Sequence, residues 1–193
     1  MIKYILLVFF IMTGCSATAQ FTVNIQWQSV NPGYSGDSIY YDADRKLTWS
    51  DFKGRPVAKS PAAAITESGF GYRMSMKSYN NRTNINITVF CYFNKNQSWV
   101  KKGMKTDYAL LHEQHHFDIT YINTCLFIQK LSAAKLTRAN FNTLVERIHD
   151  ECFAALNTMQ DDYDGETSNG RIEAAQMRWN KKIDAQLAPL TTN

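Results

Sequence analysis

The ten residues LLHEQHHFDI, Leu110–Ile119, combine the apolar spacing of a buried helix with three histidines and two acidic residues. Residues four positions apart share one face of an α-helix, so His112 and His116 would lie one above the other. Glu113 would project beside them. The stretch therefore predicts a core helix that carries polar chemistry on one face.

His112, Glu113 and His116 form the pattern H-E-x-x-H. Two neutral imidazoles that converge on one point, with a third protein ligand and an open position, suit zinc. A bound metal lowers the pKa of a water molecule, and Glu113 is placed to accept its proton. The sequence therefore predicts His112 and His116 as zinc ligands and Glu113 as a catalytic base. The alternative is a helix whose histidines line a polar groove.

Two neighbours of the motif are given less direct roles. His115 could pair with His112 at the i, i+3 spacing, but that choice would leave Glu113 without a function. We therefore expect His115 to be exposed or to lie just behind the ligands. Asp118 is expected either to orient a ligand imidazole through a hydrogen bond or to be solvated.

Helix length predicts where the third ligand lies. The first helix is predicted to begin at Thr106 or Asp107 and to end near Ala134, and a second follows Asn140. If the two helices form an antiparallel hairpin, equal rises of about 1.5 Å per residue bring the stretch 157–164 back beside the histidines. The third ligand is therefore expected at the end of the second helix.

The sequence around this point, QDDYDGETSNG, offers several oxygen ligands. Asp164 is the preferred third ligand, because Gly165 can bend the chain beside it. Tyr163 is predicted to donate a hydrogen bond to a developing oxyanion. An acidic cluster of this kind is also typical of a solvated helix end. The alternatives for the third ligand are Asp161, Asp162, Glu166 and Asn169.

The first half of the chain favours strands and turns. The segment FTVNIQW predicts a half-buried strand, and SIYYDADRKLTW, residues 38–49, predicts a strand pair around a turn. The segments SGFGYRMSMKSY and TNINITVFCYF predict a hairpin around NNR. The helical half contains a third helix, capped near Ser168 or Asn169, with Ile172, Trp179, Ile183 and Leu187 on one face. The predicted fold class is α+β: a small antiparallel sheet followed by helices.

Residues 1–19 have the layout of a secretory signal peptide, in which a lysine precedes the apolar run Tyr4–Met12 and small residues follow. Cleavage before Gln20 is preferred. The alternative is a lipoprotein signal with the lipid on Cys15, which Met12 fits poorly. We therefore predict a signal peptide over 1–19 and one domain over 20–193, secreted or held in the periplasm or cell envelope.

The composition limits the classes of partner that the chain is expected to have. The chain of 193 residues is 45% hydrophobic and 20% charged, as expected for a globular domain, and its formal charge of +4 is spread along the chain. No nucleic-acid partner is predicted, and no transmembrane helix after the signal. The expected partner is a peptide or protein substrate. The segment TESGFGY, Thr66–Tyr72, could be an edge strand to which an extended peptide adds, although an internal strand fits equally.

Several residues outside the motif are predicted to be structural. The three cysteines after the signal, Cys91, Cys125 and Cys152, fit either one disulfide with a spare thiol or three buried thiols. Large aromatic side chains dominate burial in small sheets, so Trp49, Phe52 and Trp99 are expected to be core anchors. His149 faces away from the motif in the predicted hairpin.

An ordered set of short segments around the motif resembles a bacterial family, domain of unknown function number nine hundred and twenty-two, described as secreted zinc-dependent proteases. The segments are LTWSDFKGRP (Leu47–Pro56), AAITESGFGY (Ala63–Tyr72), SWV (Ser98–Val100), LLHEQHHFDI, YDGETSNG (Tyr163–Gly170), Gln176 and Trp179. The resemblance covers about Leu47 to Leu187. It implies a zincin-like peptidase in which His112 and His116 bind zinc and Glu113 is the base.

Asn169 departs from the family pattern, which usually has a histidine at this position. That histidine would be an obvious third zinc ligand, whereas asparagine is a weak one. Asp164 or Glu166 would then be the third ligand, or activity would be lost. The predicted function is a secreted or envelope zinc metallopeptidase. The alternatives are a catalytically inactive extracytoplasmic binding module and a cell-wall amidase.

Overall fold

The structure, a computed structural model, describes residues 20–29 and 36–190. The predicted signal peptide and the alternative lipid site at Cys15 lie outside these residues. Strands come first and helices follow, so the predicted α+β class is confirmed. The strands are β1 Gln20–Trp27, β2 Ser38–Tyr40, β3 Ala64–Ile65, β4 Ser68–Tyr79, β5 Arg82–Asn94 and β6 Trp99–Val100; the helices are α1 Asp107–Ala133, α2 Phe141–Thr167 and α3 Glu173–Leu187, with a 3₁₀ turn at Ala188–Leu190.

The central strand of the main sheet is β5. On one side of β5, the whole length of β4 pairs with it in antiparallel orientation. On the other side β2 pairs antiparallel, but β1 pairs parallel, with Gln20 opposite Arg82 and Trp27 opposite Val89. The predicted small antiparallel sheet is therefore confirmed except for β1, which pairs parallel. No tight turn joins β1 to β5, so nothing local imposes antiparallel pairing. Strands β3 and β6 form a separate antiparallel pair.

The predicted hairpin around NNR is confirmed as β4 and β5. Its two turn residues, Asn80 and Asn81, have φ values of 45° and 61°. A type I′ turn needs positive φ at both positions, and asparagine adopts this conformation more readily than most residues. The turn therefore sets the register that aligns β4 with β5.

The strand pair predicted for residues 38–49 was wrong beyond its first strand. Only β2 forms, and the chain from Tyr41 onward is a loop held against α1. The amide of Leu47 donates to Gln114 Oε1 at 2.7 Å, and the hydroxyl of Tyr41 donates to Asp118 Oδ1 at 2.8 Å. These hydrogen bonds to α1 satisfy polar groups of the loop, so this segment does not need to pair with β2 as a second strand.

The hydrophobic core lies between the sheet and α1. Alternate residues of β5 are fully buried on the face toward the helix: Ile85, Ile87, Val89, Cys91 and Phe93, each 0% exposed. On its other side α1 contacts α2 and α3. The predicted anchors Phe52 and Trp99 are buried, and the half-buried Trp49 packs on Phe52 with ring centroids 5.0 Å apart.

The ends of the helices correct part of the sequence analysis. Thr106 caps α1 as predicted, because its hydroxyl accepts from the amide of Ala109 at 3.1 Å. Helix α2 begins after Asn140 as predicted but continues through Gly165 without a bend. Ser168 and Asn169, with φ of 53° and 55°, close the C-terminal end of α2 and do not cap α3.

Helix α3 therefore begins later than predicted, at Glu173. Trp179, Ile183 and Leu187 are buried as expected. Ile172 was wrongly placed on this buried face. It precedes the helix and is 50% exposed.

The three cysteines after the predicted signal form no disulfide within the described residues. Cys91 lies on β5, Cys125 on α1 and Cys152 on α2, and burial raises the pKa of all three thiols. Of the two alternatives that the sequence left open, the structure has three unpaired thiols, of which Cys91 and Cys152 are buried and Cys125 is half-buried. Over residues 20–29 and 36–190, no helix has both the length and the apolar character needed to cross a bilayer.

Candidate metal centre

Helix α1 holds His112 and His116 on the same face, one turn apart. Their ring centroids are 4.8 Å apart and their Nε2 atoms 3.2 Å apart. Only 7% of the His112 side chain and 12% of the His116 side chain are exposed. The H-E-x-x-H spacing therefore produces the convergence of imidazole nitrogens that the sequence analysis predicted.

The antiparallel hairpin of α1 and α2 brings Asp164 to the same point. Its Oδ1 lies 3.2 Å from His112 Nε2 and 3.1 Å from His116 Nε2. These ligand atoms all lie within 4.8 Å of one another, and the group could hold a metal ion. In a tetrahedron with metal–ligand bonds of about 2.0–2.1 Å, ligand atoms stand about 3.3 Å apart. The observed separations are close to that edge length.

Charge and hydrogen bonding couple the three residues. Burial alone would lower the pKa of His116, but the hydrogen bond to Asp164 and the charges of Glu113 and Asp164 raise it above its usual value. Burial alone would raise the pKa of Asp164, yet the hydrogen bonds with both histidines hold it well below the usual carboxyl range. Asp164 is therefore anionic at neutral pH.

Glu113 lies beside the histidines with one carboxylate oxygen unpaired. The residue is 5% exposed and lines a cleft over this site. Its Oε2 has no hydrogen-bond partner among the described residues, whereas its backbone carbonyl accepts from the Thr66 hydroxyl at 3.1 Å. Buried polar atoms are normally satisfied, so the buried and unpaired Oε2 is a candidate to take a proton or hydrogen bond from a molecule bound beside it.

Two glutamines, Gln160 and Gln176, contact the outer nitrogens of the imidazoles. The sequence analysis assigned no role to Gln160 and named Gln176 only within the family resemblance, without a role. His112 Nδ1 lies 2.9 Å from Gln176 Oε1, and His116 Nδ1 lies 2.5 Å from Gln160 Oε1. Gln160 could have been found, since it precedes Asp164 by one helical turn and shares its face. Gln176 comes from α3, and no spacing in the sequence links it to His112.

Tyr163 does not occupy the position predicted for an oxyanion donor. It is 0% exposed and its ring stacks on His112 with centroids 4.6 Å apart. Its hydroxyl accepts from Gln176 Nε2 at 2.5 Å and points toward the His112 carbonyl, away from the cleft. The phenol that lines the cleft belongs to Tyr108, which donates to the Gly170 carbonyl at 2.6 Å.

His115 and Asp118 point away from the metal group. His115 is 3% exposed rather than solvated, and its Nε2 lies 3.9 Å from Asp184. Asp118 is 2% exposed and accepts from Tyr41 and Gln114. Neither expectation for Asp118, an imidazole partner or a solvated acid, was correct, because the loop after β2 covers this face of α1.

The other candidates for the third ligand stand outside the group. Glu166 accepts from Trp179 Nε1 at 2.8 Å, and Asp161 and Asp162 are exposed. Asn169 lines the cleft, while Asp164 takes the third position. His149 packs among aromatic rings, stacking on Phe153 at 6.1 Å, in agreement with its predicted structural role.

A cleft of about 570 Å³ opens over the metal group. Helix α1 forms its floor. The segment Ala62–Ser68 forms one wall, and α2 forms the opposite wall with Phe153, Leu156 and Asn157. The turn at Asn169–Arg171 also lines it. The cleft therefore has both apolar and polar walls, and the three candidate ligands are among its lining residues.

Comparison of the chain with protein-family models, with curated proteins and with solved structures gives no match. The functional interpretation therefore depends on the residues themselves and on their geometry.

Proposed function

We propose that the chain is a zinc-dependent metallopeptidase. The observation that carries the proposal is the convergence of His112, His116 and Asp164 on one point beside the unpaired carboxylate oxygen of Glu113.

The donor set favours zinc over the hard cations. Two imidazole nitrogens and one carboxylate oxygen are typical of catalytic zinc, whereas calcium and magnesium prefer oxygen ligands alone. The same donor set occurs in non-haem iron oxygenases. The carboxylate of Glu113, free to act as a base beside the ligands, favours hydrolysis over oxygen chemistry.

In the proposed mechanism His112, His116 and Asp164 hold the ion. When bound, zinc would supply Lewis acidity that polarises a carbonyl group and lowers the pKa of a water molecule. Glu113 accepts the proton of the attacking water and returns it to the leaving amine. The bond from Thr66 to the backbone of Glu113 links this base to the wall of the cleft.

The wall of the cleft suits an extended peptide. Ala63 accepts from Lys101 and the amide of Glu67 donates to Ser98, so these residues turn their backbone toward β6 and the chain beside it. Backbone groups alternate along an extended segment, and those of Ala64 and Thr66 therefore face the other way. Both residues line the cleft. A substrate could add here as a further strand.

The two alternatives from the sequence analysis differ in their support. The inactive binding module rested on Asn169, but Asp164 supplies a third donor and asparagine is not required. A cell-wall amidase would use the same centre and the same base. Substrate profiling would separate it from a peptidase.

The test measures metal content and peptide cleavage in matched variants. We expect about one zinc per wild-type chain and loss of zinc in His116→Ala. Glu113→Gln should keep the zinc and lose at least about 10²-fold in turnover of a peptide library, because it removes the general base. Glu151→Gln, an exposed carboxylate paired with Lys130, is the control and should keep both. A wild-type chain without zinc would contradict the proposal.

A further inference from the structure

We infer that Gln160 and Gln176 are positioning residues that hold the two imidazoles with Nδ1 protonated and Nε2 directed to the metal. The inference rests on the metal-binding part of the proposed function and adds what fixes the ligand rings. It assigns the same task to two side chains that arrive from different helices, α2 and α3.

The Gln176 side chain is fixed from three directions. It is 1% exposed, and its Nε2 donates to the Tyr163 hydroxyl at 2.5 Å and to Asn180 Oδ1 at 2.7 Å. With the amide nitrogen committed to these acceptors, the oxygen must face His112 Nδ1, 2.9 Å away. Only a protonated Nδ1 can donate to that oxygen, which leaves the Nε2 lone pair for a metal.

Gln160 holds both the ring and the backbone of His116. Its Nε2 donates to the His116 carbonyl at 2.9 Å and to Thr120 Oγ1 at 3.3 Å. Its Oε1 lies 2.5 Å from His116 Nδ1. A reversed amide would place its oxygen against the His116 carbonyl, which also accepts only, so the observed orientation is the one that satisfies every group.

The choice of a carboxamide has a chemical consequence. A carboxylate in this position would also fix the ring, but it would add negative charge and make the imidazole more basic. The two glutamines fix the rings without adding charge. Among the three ligands only Asp164 is then anionic, and a bound dication keeps more of its positive charge for polarising a substrate carbonyl.

The test compares zinc affinity in two variants and a matched control. Gln160→Leu and Gln176→Leu should each weaken zinc binding by about 10–100-fold in competition with a chromophoric chelator. Gln114→Leu is the control. Gln114 is also a buried glutamine of the helical half, at 6% exposure, but it bonds the Leu47 amide and Asp118 instead of an imidazole. Its loss should leave zinc affinity unchanged.

A spectroscopic readout separates positioning from general destabilisation. In the zinc-loaded protein, the Nδ1 protons of His112 and His116 should give slowly exchanging imidazole signals in the proton NMR spectrum. Gln176→Leu should remove the His112 signal alone, and Gln160→Leu the His116 signal alone. Gln176→Glu keeps an acceptor toward His112 Nδ1, and the Tyr163 hydroxyl can donate to its second oxygen, so this variant should restore both the signal and the affinity.

The possible outcomes are distinct. If the wild-type chain takes up no zinc, the proposed function and this inference both fail. If the wild type binds zinc and the two leucine variants bind as tightly, or weaken no more than Gln114→Leu, only this inference is overturned. Should a leucine variant not fold, Gln176→Glu decides: retained affinity with the His112 signal supports positioning, and loss of both with an intact fold refutes it.

Discussion

Asp164 illustrates how a single side chain joins two helices at the candidate site. Its Oδ1 contacts His112 and His116 on α1 while its backbone lies near the end of α2. Gly170 lies close to the His112 ring. A Cβ atom there would lie 3.3 Å from His112 Nδ1, and the φ of 79° also favours glycine. Asp164 contacts both imidazoles, and a side chain at position 170 would press on His112, so changes at either position should alter metal binding.

Replacing Asp164 tests whether it is the third ligand. Asp164→Asn should weaken zinc binding by more than the roughly 10–100-fold expected for an outer hydrogen-bond partner, because a neutral amide replaces an anionic donor. It should also lower the pKa of His116, which Asp164 raises. Chelator competition and an NMR titration of the imidazole measure the two effects.

The control for this variant is Glu166→Gln, two residues further along the same helix. Glu166 bonds Trp179 and takes no part in the metal group, and a glutamine oxygen can still accept from the indole. Equal loss of zinc affinity in both variants would contradict the assignment of Asp164.

At the scale of elements, α1 is unusual in burying polar residues on several faces. Apolar residues such as Phe117 and Ile119 are almost fully buried, and so are Gln114, Asp118 and Thr120. Each of these polar side chains has a partner: Gln114 binds the loop at Leu47, Asp118 binds Tyr41, and Thr120 bonds the backbone of His116. These three buried polar side chains are tolerated because they are hydrogen-bonded, and the bonds of Gln114 and Asp118 tie the helix to the loop after β2.

The loop anchor on α1 can be tested by Tyr41→Phe. This change keeps the ring that stacks on Tyr121 at 3.9 Å but removes the hydroxyl that donates to Asp118 at 2.8 Å. We expect the free energy of unfolding to fall by about 1–3 kcal/mol, since a buried acceptor loses one donor. Urea unfolding measures it. Tyr79→Phe, 80% exposed, should change little, and an equally stable Tyr41→Phe would show that the bond contributes nothing.

At the scale of the whole molecule, what could be predicted followed from regular geometry. The spacing of His112 and His116 determines their shared face, and equal helix rises place Asp164 beside them. The hairpin of β4 and β5 followed from alternation around a two-asparagine turn. These features depend on the helical and strand periodicity of the local sequence, which can be read without knowledge of the tertiary structure.

The features that were missed depend on contacts between distant segments. Gln176 reaches His112 from α3, and the parallel pairing of β1 with β5 is decided by the assembled sheet. Tyr163 was predicted on the correct helix, but its hydroxyl does not point into the cleft as expected. Periodicity indicates the helix face of a residue and not the direction of its hydroxyl group. Ser168 and Asn169 are common at both ends of helices, and only the observed positive φ assigns them to the end of α2.

Metal binding should make the stability of the whole chain depend on pH in a defined direction. The folded pKa of His116 is raised above 6.5, so its pairing with Asp164 stabilises the metal-free protein below pH 6.5 and is lost as pH rises through the folded pKa. Asp164, lowered from 3.8, contributes above pH 3.8 and loses this contribution as pH falls through its folded pKa. Zinc must displace the His116 proton, so its stabilisation should grow as pH rises.

This prediction is checked by thermal unfolding with zinc and with a chelator, from about pH 5 to about pH 8. At 100 times Kd, bound zinc adds about 2.7 kcal/mol. The difference in Tm should shrink toward acid pH in the wild type and be absent in His116→Ala. A difference that stays constant over this range would show that His116 does not exchange a proton for the metal.

The three unpaired thiols can report the local opening of the elements that carry them. Cys91, Cys125 and Cys152 stand one each on the sheet, the first helix and the second helix. Cys91 and Cys152 are 0% exposed, so an alkylating reagent can reach them only when the surrounding element separates from its neighbours. Mass spectrometry of timed alkylation would then show which of these elements opens first, and it requires no engineered residue.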